Sequence, residues 1–162
     1  RIGCESCVKA ERPVFGEAMH TEPRPTVLVV DDDTAVRLTL GAMIEHQGFA
    51  TRLAASGDEG VAEYDRHRDE IAAVVLDVRM PGKDGPHTLA ELRERDPDLP
   101  CVFVTGYAGA YGTDDLAGRG AVVLAKPVAA DDLGRAIRAA RGPATRGRQP
   151  PVSVPAAAET EG

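Results

Sequence analysis

The amino-acid sequence predicts an α/β protein: a doubly wound parallel sheet of five strands with helices on both faces. Short apolar runs and amphipathic segments alternate five times between residues 26 and 141. Runs such as Val27-Leu28-Val29-Val30 and residues 72–76 are apolar throughout, as strands buried on both faces are. Parallel strands joined by right-handed helical crossovers then place helices on both sides of the sheet.

Each unit has its own punctuation. Thr26–Val30 is the first strand. Asp33 or Thr34 caps the helix that follows, where Val36, Leu40, Met43, Ile44 and Gln47 recur at helical spacing until Gly48 ends it. Ala50–Ala54 is the second strand, and Gly57–His67 a helix with Val61 and Tyr64 inward. Residues 72–76 form the third strand, and a loop with Pro81, Gly82 and Gly85 leads to a helix over 86–95 with Leu89 and Leu92 inward. Pro86 suits the first turn of that helix. Residues 101–104 form the fourth strand, 113–117 a short, poorly patterned helix and 121–124 the fifth strand. A last helix over 130–140 carries Leu133, Ile137 and Ala140 on one side.

Outside this domain of residues 26–141, residues 1–25 are rich in proline and charge and are expected to be a flexible segment. Residues 142–162, with Pro150, Pro151 and Pro155, are expected to be a disordered tail. The net charge is −7. Residues 1–25 hold four basic and four acidic side chains, and 142–162 two of each, so the excess (20 acidic against 13 basic) lies within 26–141. Such a surface is a poor partner for nucleic acid. No apolar run approaches the ~18 residues of a membrane helix, and residues 1–24 lack the apolar stretch of a signal peptide. A cytoplasmic protein with neither nucleic-acid nor membrane partners is expected. Cys101 lies in an apolar run and is expected to be a small buried hydrophobe. Cys4 and Cys7 make one C-x-x-C pair with no second half, which does not complete a zinc site.

In a doubly wound sheet, ligands bind at the carboxyl ends of the strands. Those ends carry Asp31, Asp32 and Asp33, then Asp77, then Thr105, then Lys126-Pro127. An aspartate after a strand is commonly a helix cap, the expected role of Asp33. Several carboxylates aimed at one place repel: two charges ~4 Å apart cost ~4 kcal/mol at an effective dielectric of ~20. A hard divalent cation relieves this, and all-oxygen ligands favour Mg²⁺ or Ca²⁺ over zinc. Thr105 and Lys126 suit the oxygens of a phosphoryl group. Pro127 directs the chain beside Lys126 and permits a cis bond there.

Val27-Leu28-Val29-Val30-Asp31-Asp32-Asp33, Val75-Leu76-Asp77-Val78-Arg79-Met80-Pro81-Gly82, Val104-Thr105-Gly106 and Lys126-Pro127 together resemble the receiver domain of two-component response regulators. The resemblance runs in order over about residues 26–141, with 45, 28 and 21 residues separating Asp32, Asp77, Thr105 and Lys126. It implies a flavodoxin-like strand order 2-1-3-4-5 and a phosphorylation-switched signalling domain. It implies that Asp77 accepts the phosphoryl group, and that Asp32, Asp77 and the backbone carbonyl of Arg79 ligate Mg²⁺, with Asp31 acting through water. Thr105 and Lys126 would hold the phosphoryl group. The implied partners are a sensor histidine kinase or a histidine phosphotransfer protein, and an unknown downstream protein.

The pattern departs from the family at Val123, where receivers often carry Phe or Tyr. The switch is then expected to use backbone movement, or Tyr107 or Tyr111, whose simpler role is loop packing. Arg79 and Tyr107, each two residues past a site residue, are bulky enough to obstruct a hydrolytic water and imply slow self-dephosphorylation.

Two other functions stay open on sequence. A haloacid-dehalogenase-type phosphatase also uses a strand-end Asp, a hydroxyl, a Lys and Mg²⁺, but needs a second acid where this chain has Arg79. An interaction module without phosphorylation would not need all of Asp31, Asp32, Asp77, Thr105 and Lys126. The sequence fits either a free-standing regulator or the receiver of a hybrid sensor kinase. No helix-turn-helix is expected after Arg141, so output is expected through a protein partner or a phosphorelay.

Overall fold

Ten elements alternate strictly through the computed structural model, which describes residues 24–106 and 111–142. They are β1 (Thr26–Val30), α1 (Thr34–His46), β2 (Ala50–Ala54), α2 (Gly57–His67), β3 (Ile71–Asp77), α3 (Gly85–Arg95), β4 (Cys101–Thr105), α4 (Thr113–Gly118), β5 (Val122–Ala125) and α5 (Ala130–Arg141). All strand pairs are parallel, in the order β2-β1-β3-β4-β5. Both the fold class and the strand order are as expected. The segments 1–25 and 142–162, Cys4, Cys7 and Tyr107 fall outside the described residues, except Arg24, Pro25 and Gly142.

The boundaries follow local chemistry. The Asp33 carboxylate accepts the N–H groups of Ala35 and Val36 at 2.8 and 3.1 Å, so α1 starts where its orphan donors are satisfied. Gly48, at φ +91°, turns the chain after α1. Asp84 caps α3 by accepting from His87 N, and Pro86 lies in that helix's first turn.

Alternation along the strands divides the core into two layers. Leu28, Val30, Val74, Leu76, Cys101 and Phe103 face α2, α3 and α4, where Tyr64, Leu89, Leu92 and Leu116 meet them. Val27, Val29, Ala73, Val75, Val102 and Val104 face α1 and α5, against Leu40, Ile44, Leu133 and Ile137. Burying a side chain of this kind contributes ~1.5–3 kcal/mol. Cys101 is fully buried, and desolvation pushes its thiol up to about 12. No helix among the described residues is long and apolar enough to cross a membrane.

Strands β3 and β4 end one residue later than their apolar runs. Asp77 pairs with Val104 in register and Thr105 with Ala125, so each is the last rung of its ladder rather than the first residue of a loop. Strand β5 is shifted by one residue from its apolar run, to 122–125.

Candidate functional site

The parallel register brings the ends of β1, β3, β4 and β5 to one edge of the sheet. Ligand oxygens of Asp31, Asp32 and Asp77 lie within 4.8 Å of one another. Lys126 Nζ donates to Asp31 Oδ2 at 3.0 Å and to Asp77 Oδ1 at 3.1 Å. Lys126 is itself fixed by its backbone N–H, which donates to Thr105 O at 2.9 Å; its bond to Pro127 is cis. Thr105 is buried at the end of β4. The side chains of Asp31, Asp32, Asp77 and Lys126 thus meet, Thr105 joins them through its carbonyl bond to Lys126, and Arg79 is exposed two residues beyond Asp77.

The three aspartates sit in different surroundings. Asp31 is 1% exposed, and its second oxygen, Oδ1, accepts the Asp33 N–H at 2.9 Å. Asp77 is 7% exposed. Burial pushes its carboxyl above the ordinary range and the Asp31 charge adds to this; bonds from Lys126 and the Arg79 backbone pull the other way without cancelling it. Burial would depress the Lys126 ammonium, but its bonds to Asp31 and Asp77 outweigh that and hold it above its usual value. One ammonium therefore serves two buried carboxylates, and Asp32 faces solvent beside them. The cluster contains no His or Cys. An all-carboxylate set with excess negative charge suits a hard divalent cation and not zinc.

The β3–α3 loop is shaped for close approach. A Cβ on Gly85 would lie 2.3 Å from the Asp77 carbonyl oxygen, so no larger residue fits there. Lys83 bridges Asp58 of α2, at 2.7 Å, and Glu91 of α3. Tyr111, just before α4, donates its hydroxyl to Asp84 Oδ2 at 3.1 Å and packs with Val123 on the core beneath. Packing and a bond to the α3 cap are therefore what the structure gives Tyr111. Burial alone would raise the Asp84 carboxyl, but bonds from the His87 N–H, the His87 ring and Tyr111 hold it below the ordinary range.

The positions of Asp31, Asp32, Asp77, Thr105 and Lys126 are all legible in the sequence. Gly85 is legible as a loop glycine, though not the close approach that requires it. Two supporting residues leave no trace in the sequence: Arg37, which reaches back to the acidic loop, and Lys83.

Residues 27–138 match the response regulator receiver domain family. The chain is 38% identical over 101 residues to sensor kinase CckA of Brucella abortus, a match covering 62% of this chain but 11% of that protein. It is 35% identical over 109 residues to the response regulator receiver protein CpdR of Brucella abortus, covering 66% of this chain and 88% of that one. Among solved structures, the CheX-CheY-BeF3-Mg²⁺ complex of Borrelia burgdorferi superposes with a TM-score of 0.64 at 27% identity, over 69% of this chain and 85% of that chain.

Proposed function

This chain belongs to the response regulator receiver domain family, a family of phosphorylation-switch modules, and we propose that Asp77 is the residue that accepts the phosphoryl group, in a Mg²⁺-dependent reaction. The observation that carries this reading is the convergence of Asp31, Asp32, Asp77 and Lys126 at one sheet edge. The resemblance to receiver domains implies that Asp32, Asp77 and the Arg79 carbonyl hold the ion directly and Asp31 through water, and the hydrogen bonds accepted by both Asp31 oxygens are consistent with that indirect role. The similar Borrelia structure is of a complex containing Mg²⁺. A bound Mg²⁺ would neutralise the phosphoryl oxygens and the crowded carboxylates together.

In the transfer, an Asp77 carboxylate oxygen forms the new P–O bond while the P–N bond of a phosphohistidine donor breaks, and the imidazole leaves with the electron pair. Positioning and charge neutralisation do most of the work, because a carboxylate is a weak nucleophile. Lys126 then pairs with the phosphoryl group that takes the place of free carboxylate charge, and the Thr105 hydroxyl donates to it. The added charge of up to about −2 draws Thr105 and its loop inward and reshapes the face made by α4 and β5. The donor is a sensor histidine kinase or a histidine phosphotransfer domain in the cytoplasm, and the output is a protein partner. Exposed Arg79 shields the acyl phosphate from water, so Arg79→Ala is expected to speed its loss in Mg²⁺ buffer; an unchanged decay rate removes that role.

The test is a Mg²⁺ titration of labelling by acetyl phosphate, followed by intact mass. Labelling is expected to need Mg²⁺ and to vanish in Asp77→Asn, with no turnover of p-nitrophenyl phosphate. Turnover of that ester would favour a phosphatase instead, and a wild-type protein that takes no label with Mg²⁺ present would favour an interaction module.

A further inference from the structure

Arg37 belongs to no site described above, yet its side chain folds back over the acidic loop from the first turn of α1. Its backbone N–H donates to Asp33 O at 2.9 Å. Its guanidinium Nη1 donates to the carbonyl of Asp31 at 2.6 Å and to that of Asp32 at 3.5 Å, and Nη2 donates to Thr34 Oγ1 at 3.3 Å. One planar fork thus ties two consecutive peptide units of the β1–α1 loop to the helix.

The aspartates differ in how much they need that support. Asp31 is held by Lys126 and the Asp33 N–H, and Asp77 by Lys126. Asp32 is exposed, and among the described residues no partner holds its carboxylate. Its direction is set by the backbone that carries it, which Arg37 holds together with the bond from the Asp33 N–H to Asp31 Oδ1. Mg²⁺ demands near-ideal octahedral placement of its ligands at ~2 Å, so a ligand on a wandering loop binds it poorly.

We infer that Arg37 is a positioning residue for Mg²⁺ binding: its guanidinium, with Nη1 on the Asp31 and Asp32 carbonyls and Nη2 on Thr34, holds the Asp32 carboxylate in place for the ion. The inference rests on the receiver reading of the site. A positive guanidinium also repels a cation, and the two effects have opposite signs. Arg37 is half-buried and lies inside the ~8 Å Debye length of the aspartates, so salt screens the repulsion only in part, whereas the clamp acts directly on the loop that carries Asp32. The clamp outweighs the repulsion.

Isothermal titration of the full chain with MgCl₂ decides the sign. Arg37→Ala is expected to weaken Mg²⁺ binding about tenfold, the range seen when a ligand's supporting shell is removed. Arg37→Lys keeps the charge but loses the fork, and falls between Arg37→Ala and wild type. With acetyl phosphate, both variants are expected to need more Mg²⁺ for half-maximal labelling yet reach the wild-type rate at saturation, a split that general destabilisation does not produce. Thr34→Ala, which removes one anchor of the fork and keeps both carbonyl bonds, guards against a variant that fails to fold, and is expected to weaken Mg²⁺ binding by less than Arg37→Ala does. Unchanged or tighter Mg²⁺ binding in Arg37→Ala overturns the inference and leaves the site intact. A wild-type chain that binds no Mg²⁺ overturns the receiver reading itself.

Discussion

On one face of the sheet α1 and α5, of 13 and 12 residues, are fastened to each other; at the other end α4 has six residues and a single buried side chain, Leu116. Gln47, at the end of α1, donates to Asp131 at 3.0 Å and accepts from Arg138 on its carbonyl at 2.9 Å. Gly134 lies so close to it that a Cβ there would sit 2.5 Å from Gln47 Oε1. Arg138 and Arg141 cover the Phe49 ring. By contrast, α4 buries Leu116 alone, and β5 beside it is only half-buried. Both regions lead to the same site, α1 through Asp31 and Asp32, and α4 through Thr105. A switch moves where opening costs least, so the weakly fastened end is suited to respond while the α1–α5 face holds the loop of Asp31 and Asp32 still.

Four substitutions break or sharpen this contrast. Ile137→Ala, in the fastened face, should cost about 2–5 kcal/mol and lower the melting temperature of the whole domain, as measured by thermal and urea unfolding. Gly85→Ala acts at the joint between the halves: the clash with the Asp77 carbonyl should cost about 1–3 kcal/mol and also slow acetyl phosphate labelling, because the Asp77 backbone must shift. Tyr111→Phe removes the bond that ties the start of α4 to the α3 cap. Hydrogen exchange should then quicken in α4 and leave α1 and α5 unchanged; equal changes in both would erase the distinction. The Asp84 carboxylate accepts from the Tyr111 phenol and holds its proton above the ordinary value, so this tie persists through neutral pH. A folded-state value raised in this way means the contribution is complete below the unfolded value of ~10 and is lost as pH climbs through the folded one. The smallest expected effect is that of Arg79→Ala, which leaves stability near wild type because Arg79 is exposed and shortens only the life of the phosphorylated form.

Much of this was legible in the sequence, for a physical reason. Apolar runs mark burial, and burial on both faces marks parallel strands, so every element from Thr26 to Arg141 falls within one or two residues of its expected place. The ends of β3 and β4 lie one residue past their apolar runs because a strand ends where its ladder ends. The ladder is set by the partner strand, and polarity does not report it: Asp77 and Thr105 are polar and still hydrogen-bonded in the sheet. The four strand-end positions stood out because their chemistry is unusual for loops. Arg37 and Lys83 did not, since a charged residue on a helix or in a loop looks solvated until the fold shows what lies above it. Tyr111 was legible only as a candidate, and its bond to Asp84 depends on a contact 27 residues away in the chain.

The most direct test of the account is residue-level mapping of the label after acetyl phosphate treatment, by peptide mass spectrometry with Mg²⁺ and with EDTA. The account predicts one acyl phosphate, on Asp77, present with Mg²⁺ and absent with EDTA. A label on Asp31 or Asp32, or one that persists in Asp77→Asn, would contradict it.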